Sequence, residues 1–184
     1  YTMAAAFASM GRTEAAARLA GLTAGVVSVA LAWAARPVRF IGSMGAATAM
    51  ALAPFAISFS PTAFLDPLMT TLALATLVAA LHKRPGWAGA FLGLAAATKV
   101  QALIFLPLVA ACGVLAFGGR LRSRAGGSFV AGLLIPLSAV LAWDRLRGGA
   151  PFWLQQTVNY GGIRLAYPGE VIPRLAGWAS FLPQ

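Results

Sequence analysis

Long apolar runs alternate along this chain with short stretches of charge, proline and glycine. A helix that crosses a bilayer needs about 20 mostly apolar residues, and the runs are read against that length. Residues 1–10 read as the tail of one span. Residues 19–35 form the next, closed by Arg36-Pro37-Val38-Arg39. Residues 40–59 follow and end near Ser60-Pro61. Residues 67–81 run to His82-Lys83-Arg84-Pro85-Gly86. Residues 87–98 make only a half-span, broken at Thr98-Lys99, and residues 100–118 end before the basic Arg120-Leu121-Arg122-Ser123-Arg124. Residues 127–143 are the last clear span. The pattern predicts an all-α, polytopic membrane bundle over 1–143, with short or broken helices near its outer face. Residues 144–184, mixed in aromatics, Gly, Pro and polar groups, read as an extracytoplasmic loop, with Val171 to Gln184 as the start of a further helix.

Composition excludes the ordinary soluble domain. Of 184 residues, 60% are hydrophobic and 10% charged, where a soluble domain carries about 25% charged residues. The net charge of +10 is mostly topological. Lys and Arg gather in cytoplasmic loops. Arg36/Arg39, Lys83/Arg84 and Arg120/Arg122/Arg124 contain no acid and are assigned to that side. Glu14, Asp66, Asp144 and Glu170 then fall outside, if 87–98 and 100–118 form a hairpin rising from the cytoplasm. No basic stripe interleaved with stacking aromatics points to nucleic acid. Cys112 is the one cysteine, so no intramolecular disulfide forms within the chain. It reads as a small apolar residue. The chain opens on Tyr1 within a helix pattern, which is expected of a piece cut from a longer protein.

Charges at membrane depth cost roughly 2.5–3.5 kcal/mol on insertion scales, so they mark where chemistry is to be sought. Asp66 lies in Ser60-Pro61-Thr62-Ala63-Phe64-Leu65-Asp66-Pro67. It reads either as an N-cap before a Pro-initiated helix or as a carboxylate held at the interface for a cation or polar substrate. Lys99 interrupts an apolar stretch and reads either as a snorkelling helix-end lysine or as a point-charge phosphate ligand. Thr98 and Gln101 add hydrogen-bonding capacity beside it. Glu14 and Arg18 have the spacing of an i,i+4 ion pair. Asp144 with Arg145 and Arg147 reads as a solvated helix end. Trp153, Gln155, Gln156, Asn159, Tyr160 and Tyr167 suit sugar rings or an interfacial aromatic belt equally. His82, in a basic loop, is not a candidate catalyst. Gly42, Gly45, Gly89 and Gly93 have the spacing of close helix contacts in lipid. No phosphate loop, dinucleotide motif, zinc spacing or nucleophile elbow is present.

Several of these residues, in order, resemble a known family. They are Glu14-x-x-x-Arg18-Leu19, Ala53-Pro54, Thr62-Ala63-Phe64-Leu65-Asp66, Ala88-Gly89-x-x-x-Gly93-Leu94-x-x-x-Thr98-Lys99 and Leu106-Pro107-Leu108. This order is similar to the GT-C glycosyltransferases, and more narrowly to the dolichyl-phosphate-mannose protein mannosyltransferase type, which includes the aminoarabinose transferases of lipid A. The likeness covers roughly residues 10–110. It implies a helix bundle that moves a sugar from a polyprenyl-phosphate carrier to a protein, lipid or glycan on the outer face of the membrane; high Ala, Gly and Arg usage points to a prokaryotic cell (inner) membrane. It places Asp66 at the family's second acidic position, orienting the acceptor, holding a divalent cation or pairing with Lys99. It places Lys99 on the carrier phosphate. Thr98, Gln101, Glu14 and Arg18 are the further substrate-binding candidates. The main general base is expected in an outer loop upstream of Tyr1. No cofactor is required beyond a candidate divalent cation at Asp66. Pro61 stands where many relatives carry Arg, which shifts a phosphate contact toward Lys99.

Two other readings stay open. A transporter or flippase for a lipid or small anion would also use a lysine at a broken helix, and an internal inverted repeat, absent from these 184 residues, would favour it. A structural membrane subunit would need no chemistry at all. An acid pair in the loop before Tyr1 would speak for the enzyme.

Overall fold

The computed structural model describes residues 2–35, 40–61, 66–117 and 123–159, and beyond these only positions 169, 172, 173 and 176. Thr62 to Leu65, the basic pairs Arg36/Arg39 and Arg120/Arg122, and Tyr160, Arg164, Tyr167, Glu170 and Arg174 lie outside the described residues. So does most of the helix expected from Val171. All regular elements among the described residues are helical.

Local sequence explains where each helix starts and stops. α1 (Thr2–Met10) ends at Gly11, whose φ of 77° turns the chain. α2 (Glu14–Ala34) is capped by Thr13, whose side chain accepts the Ala16 N–H at 3.1 Å, satisfying one of the first-turn donors. The expected run 40–59 is divided. α3 (Phe40–Leu52) stops before Pro54, which opens the short α4 (Pro54–Phe59) and pushes Ala53 into an extended conformation (ψ 119°), as proline does to the residue before it. α5 (Asp66–Leu81) and α6 (Pro85–Thr98) are joined by a tight turn. Lys99 is extended (φ −147°, ψ 124°) and separates α6 from a 3-10 helix over Val100–Phe105, which leads into α7 (Leu106–Ala116). The break expected at Thr98-Lys99 is therefore present.

Two helix ends share one turn geometry. At the end of α5, Lys83 donates to the Ala80 carbonyl and Arg84 to the Ala79 carbonyl, with Lys83 at φ 58°. At the end of α8 (Ser123–Leu146), Gly148 donates to Arg145 and Gly149 to Asp144, with Gly148 at φ 66°. Both are Schellman ends, whose left-handed position normally holds glycine. A side-chain-bearing residue there costs about 1 kcal/mol or more.

α8 outruns the expected span, and α9 (Phe152–Asn159) follows it. The stretch after Asp144 is thus partly helical rather than a loop.

The helices form an open row. α2 packs against α1, α3 and α5; α5 packs also against α6 and α7; α6 packs against α8. α2 and α5 run in the same direction. The Thr71 hydroxyl meets the Ala24 carbonyl at 2.8 Å and the Ser28 hydroxyl at 2.7 Å, and His82 Nε2 donates to the Ala34 carbonyl at 2.8 Å. α6 and α8 are parallel. A Cβ on Gly89 would overlap the Phe129 carbonyl, one on Gly93 would overlap Leu133 and Pro136, and one on Gly132 the Gly86 carbonyl. Gly89 and Gly93 are therefore contact glycines, as their spacing predicts, whereas a Cβ on Gly45 would meet nothing. Gly45 sits on an uncovered face of α3.

Small residues fill the interior. Ala16, Ala24, Ala73, Ala88, Ala95 and Ala102 are buried, and Leu92 and Thr76 are the largest fully buried side chains. Large apolar residues point outward instead: Ile41 and Leu146 are each 82% exposed and Ile104 77%. Two helical stretches, Glu14–Ala34 and Arg124–Leu146, are long and apolar enough to cross a membrane. Ile41–Leu52, Asp66–Leu81 and Val100–Ala116 are apolar but shorter; Pro54 cuts the first and the Lys99 break the last.

These directions sort the charges. Glu14, Asp66, Lys99 and Asp144 stand at one end of the row, and His82, Lys83, Arg84 and Arg124 at the other. Both chain breaks, at Ala53 and Lys99, lie toward the acid-bearing end.

Candidate functional site

The first residue of α5 and the break after α6 meet at the acid-bearing end. Lys99 Nζ donates to Asp66 Oδ1 at 2.5 Å, across 33 positions of sequence. The lysine side chain is 19% exposed and the aspartate 40%. An ammonium this far withdrawn from water needs a counter-charge, and the α5 start supplies it. Asp66 thus acts across the fold rather than only on its own helix.

Ending α6 at Thr98 and restarting at Val100 leaves main-chain groups without helical partners, and such groups must be satisfied elsewhere. Gln156 of α9 does this. Its Oε1 accepts the Val100 N–H at 2.6 Å, and its Nε2 donates to the Thr98 carbonyl at 3.2 Å. One amide therefore clasps both sides of Lys99. α9 is held in turn by Asp144, a carboxylate buried to 2% exposure. Asp144 Oδ2 accepts the Phe152 N–H at 2.8 Å, and Oδ1 accepts from Arg147 at 2.6 Å. The expected solvated helix end is instead a buried junction between α8 and α9.

The other sequence candidates fall differently. The Thr98 hydroxyl bonds back to the Leu94 carbonyl at 2.9 Å, so its main chain, not its side chain, serves the break. Gln101 is exposed on the 3-10 helix and its side chain makes no hydrogen bond among the described residues. Glu14 and Arg18 form the i,i+4 pair, Arg18 donating at 2.6 and 3.0 Å, with both side chains more than half exposed. Gln155 bonds to the Ala150 carbonyl at 2.7 Å, and Trp153 lies edge-on to Phe152 with ring centroids 6.0 Å apart. His82 ties α5 to the end of α2.

Asp66 also borders a cleft of about 410 Å³ between α2, α3, α4 and α5. Leu22, Val26, Val29, Met50 and Ile57 make it mostly apolar, with Ser60, Thr70 and Asp66 as polar points. This is the usual composition of a small-molecule site. The donor set around Asp66 does not suit a divalent cation. Its neighbour is an ammonium, and no group of three or more His, Cys, Asp or Glu gathers among the described residues.

Asp144 and Gln156 were not singled out by sequence reasoning as parts of this site. The signal for Asp144 was its charge one turn before Gly148-Gly149. Gln156, one amide among several in a polar segment, carried none. No protein family, curated protein or solved structure matches this chain.

Proposed function

We propose that this chain is the donor-binding part of a multi-pass membrane glycosyltransferase, using a polyprenyl-phosphate sugar on the extracytoplasmic face. The observation that carries the reading is the Asp66–Lys99 pair, set at a helix break and beside an apolar cleft. A lipid phosphate joins an anion to an isoprenoid chain, and this site joins a cation to an apolar groove. The membrane part of the reading is supported by the reversed interior, with alanine inside and isoleucine and leucine outside. Apolar side chains of that size favour lipid over water by about 1.5–3 kcal/mol each.

In the reaction the acceptor hydroxyl attacks the anomeric carbon. The bond from that carbon to the phosphate oxygen breaks, and the electron pair leaves on polyprenyl phosphate. The Lys99 ammonium stabilises the departing anion, an effect strongest where water is scarce. Asp66 holds the ammonium in place. The acceptor proton passes to a carboxylate base.

A lipid or small-anion transporter is the second reading, favoured by the same helix break at Lys99. One experiment separates the two. The full-length protein is reconstituted in vesicles with a polyprenyl-phosphate sugar labelled in the sugar, and release of the labelled sugar from its carrier to water or an added alcohol acceptor is followed beside movement of intact lipid. Release that fails when Lys99 becomes Ala supports the enzyme. Intact lipid crossing without release overturns it in favour of transport.

A further inference from the structure

At the end of the row opposite Asp66, α6 and α8 enclose a groove of about 550 Å³. We propose that this groove binds an anionic phospholipid, its phosphate on Lys83 and Arg84 and one acyl chain along Ala90 and Ile135. The proposal rests on the membrane part of the reading above and is independent of the transferase chemistry.

Four observations converge on it. The mouth of the groove carries two exposed cations, Lys83 and Arg84. The described acids, Glu14, Asp66 and Asp144, stand at the other end, so no described carboxylate at this end neutralises them. The depth of the groove changes from charge to hydrocarbon in the order a lipid presents them. Ser128 lies against Gly86, Trp87 is 61% exposed, and Ile135, 70% exposed, lies farthest along α8. Exposed tryptophan is typical of the headgroup level of a bilayer, and basic pockets between spanning helices take phospholipid headgroups.

The fourth observation is conformational. Lys83 occupies the left-handed position that Gly148 occupies in the same turn at the end of α8. Glycine would make the α5 turn with less strain. A lysine there puts a cation at the mouth of the groove in a conformation that the backbone disfavours, and strain of this kind gathers at ligand-binding positions. The groove itself exists because Gly132 lets α8 close onto Gly86 at its floor, leaving the flanking side chains as walls.

The test uses the full-length protein, extracted in detergent and examined by native mass spectrometry with phosphatidylglycerol or phosphatidylcholine of identical acyl chains. The expected result is preferential retention of phosphatidylglycerol, falling about fivefold for each of Lys83→Gly and Arg84→Gln. Lys83→Gly relieves the turn, so its melting temperature should not fall, and lost binding cannot be ascribed to unfolding. Ile135→Trp, which narrows the apolar part, should reduce both lipids alike. Equal retention of the two lipids by the unaltered protein overturns the proposal, as does a preference that survives Lys83→Gly with Arg84→Gln. A protein recovered without detergent would overturn the membrane reading instead, which keeps the two failures distinct.

Discussion

The two ends of the helix row handle charge in opposite ways. At one end each described acid holds a cation: Glu14 holds Arg18, Asp66 holds Lys99 and Asp144 holds Arg147. At the other, Lys83, Arg84 and Arg124 are exposed and no described acid lies among them. The first end neutralises each of its described acids within the protein, partly at buried positions where an unmatched charge is costly, while Arg12 and Arg145 stand exposed beside them. The second leaves its charges for something outside. Sequence position alone does not separate these cases. Lys99 and Lys83 are both lysines next to a helix end, yet one is 19% exposed and paired while the other stands open.

Substitutions at four positions test that contrast. Lys99→Ala should have the largest effect. Loss of a preorganised group that stabilises developing charge costs on the order of 10²–10³ in turnover, so release of the labelled sugar should fall by about a hundredfold or more. Turnover equal to the unaltered protein would remove Lys99 from the reaction, and with it the functional meaning of the paired end.

Asp144→Ala comes next. It strips partners from the Phe152 N–H and from Arg147 at a buried junction. An unsatisfied buried polar group costs about 1–3 kcal/mol, so the melting temperature in detergent should drop clearly. Asp144→Asn, which keeps one acceptor, should lose less. An unchanged melting temperature for the alanine variant would mean that α9 is not held by this carboxylate.

Gln156→Leu removes the clasp across the helix break. Two hydrogen bonds, each contributing about 0.5–1.5 kcal/mol, are lost at one place. Hydrogen exchange of the Val100 amide should quicken while exchange inside α6 stays slow. If the Val100 amide remains protected, another group satisfies the break.

Glu14→Gln should matter least. The pair with Arg18 is exposed, and such i,i+4 pairs contribute only a few tenths of a kcal/mol. Stability should be unchanged within error. A large loss would show that Glu14 and Arg18 belong to the functional end in a way their described contacts do not reveal.

Much of the fold was legible in the chain. The apolar runs mark most helices, Thr13 starts α2, Pro85 starts α6, and the polar Thr98-Lys99 marks a break that the structure contains. These signals are local, since capping, proline geometry and hydrophobic run length act within a few residues. The division of 40–59 was also written there, in Ala53-Pro54, but a long apolar run masked a single proline.

What only the tertiary structure decided is which distant groups meet. Asp66 and Lys99 each had a complete local explanation, as a helix cap and a snorkelling side chain; the family resemblance offered their pairing as one of three roles for Asp66, and only the packed structure brings them together across 33 positions. Asp144 read as solvated because charge after an apolar run usually is, yet α9 folds back and buries it. Gln156 has no signature at all, because its partners are main-chain atoms, which every residue type possesses. Hydrophobic periodicity and caps are properties of a segment and can be read from it. Pairing of charges and satisfaction of a broken helix are properties of the packed whole, set by which helices approach closely enough through their alanines and glycines to bring those groups within reach.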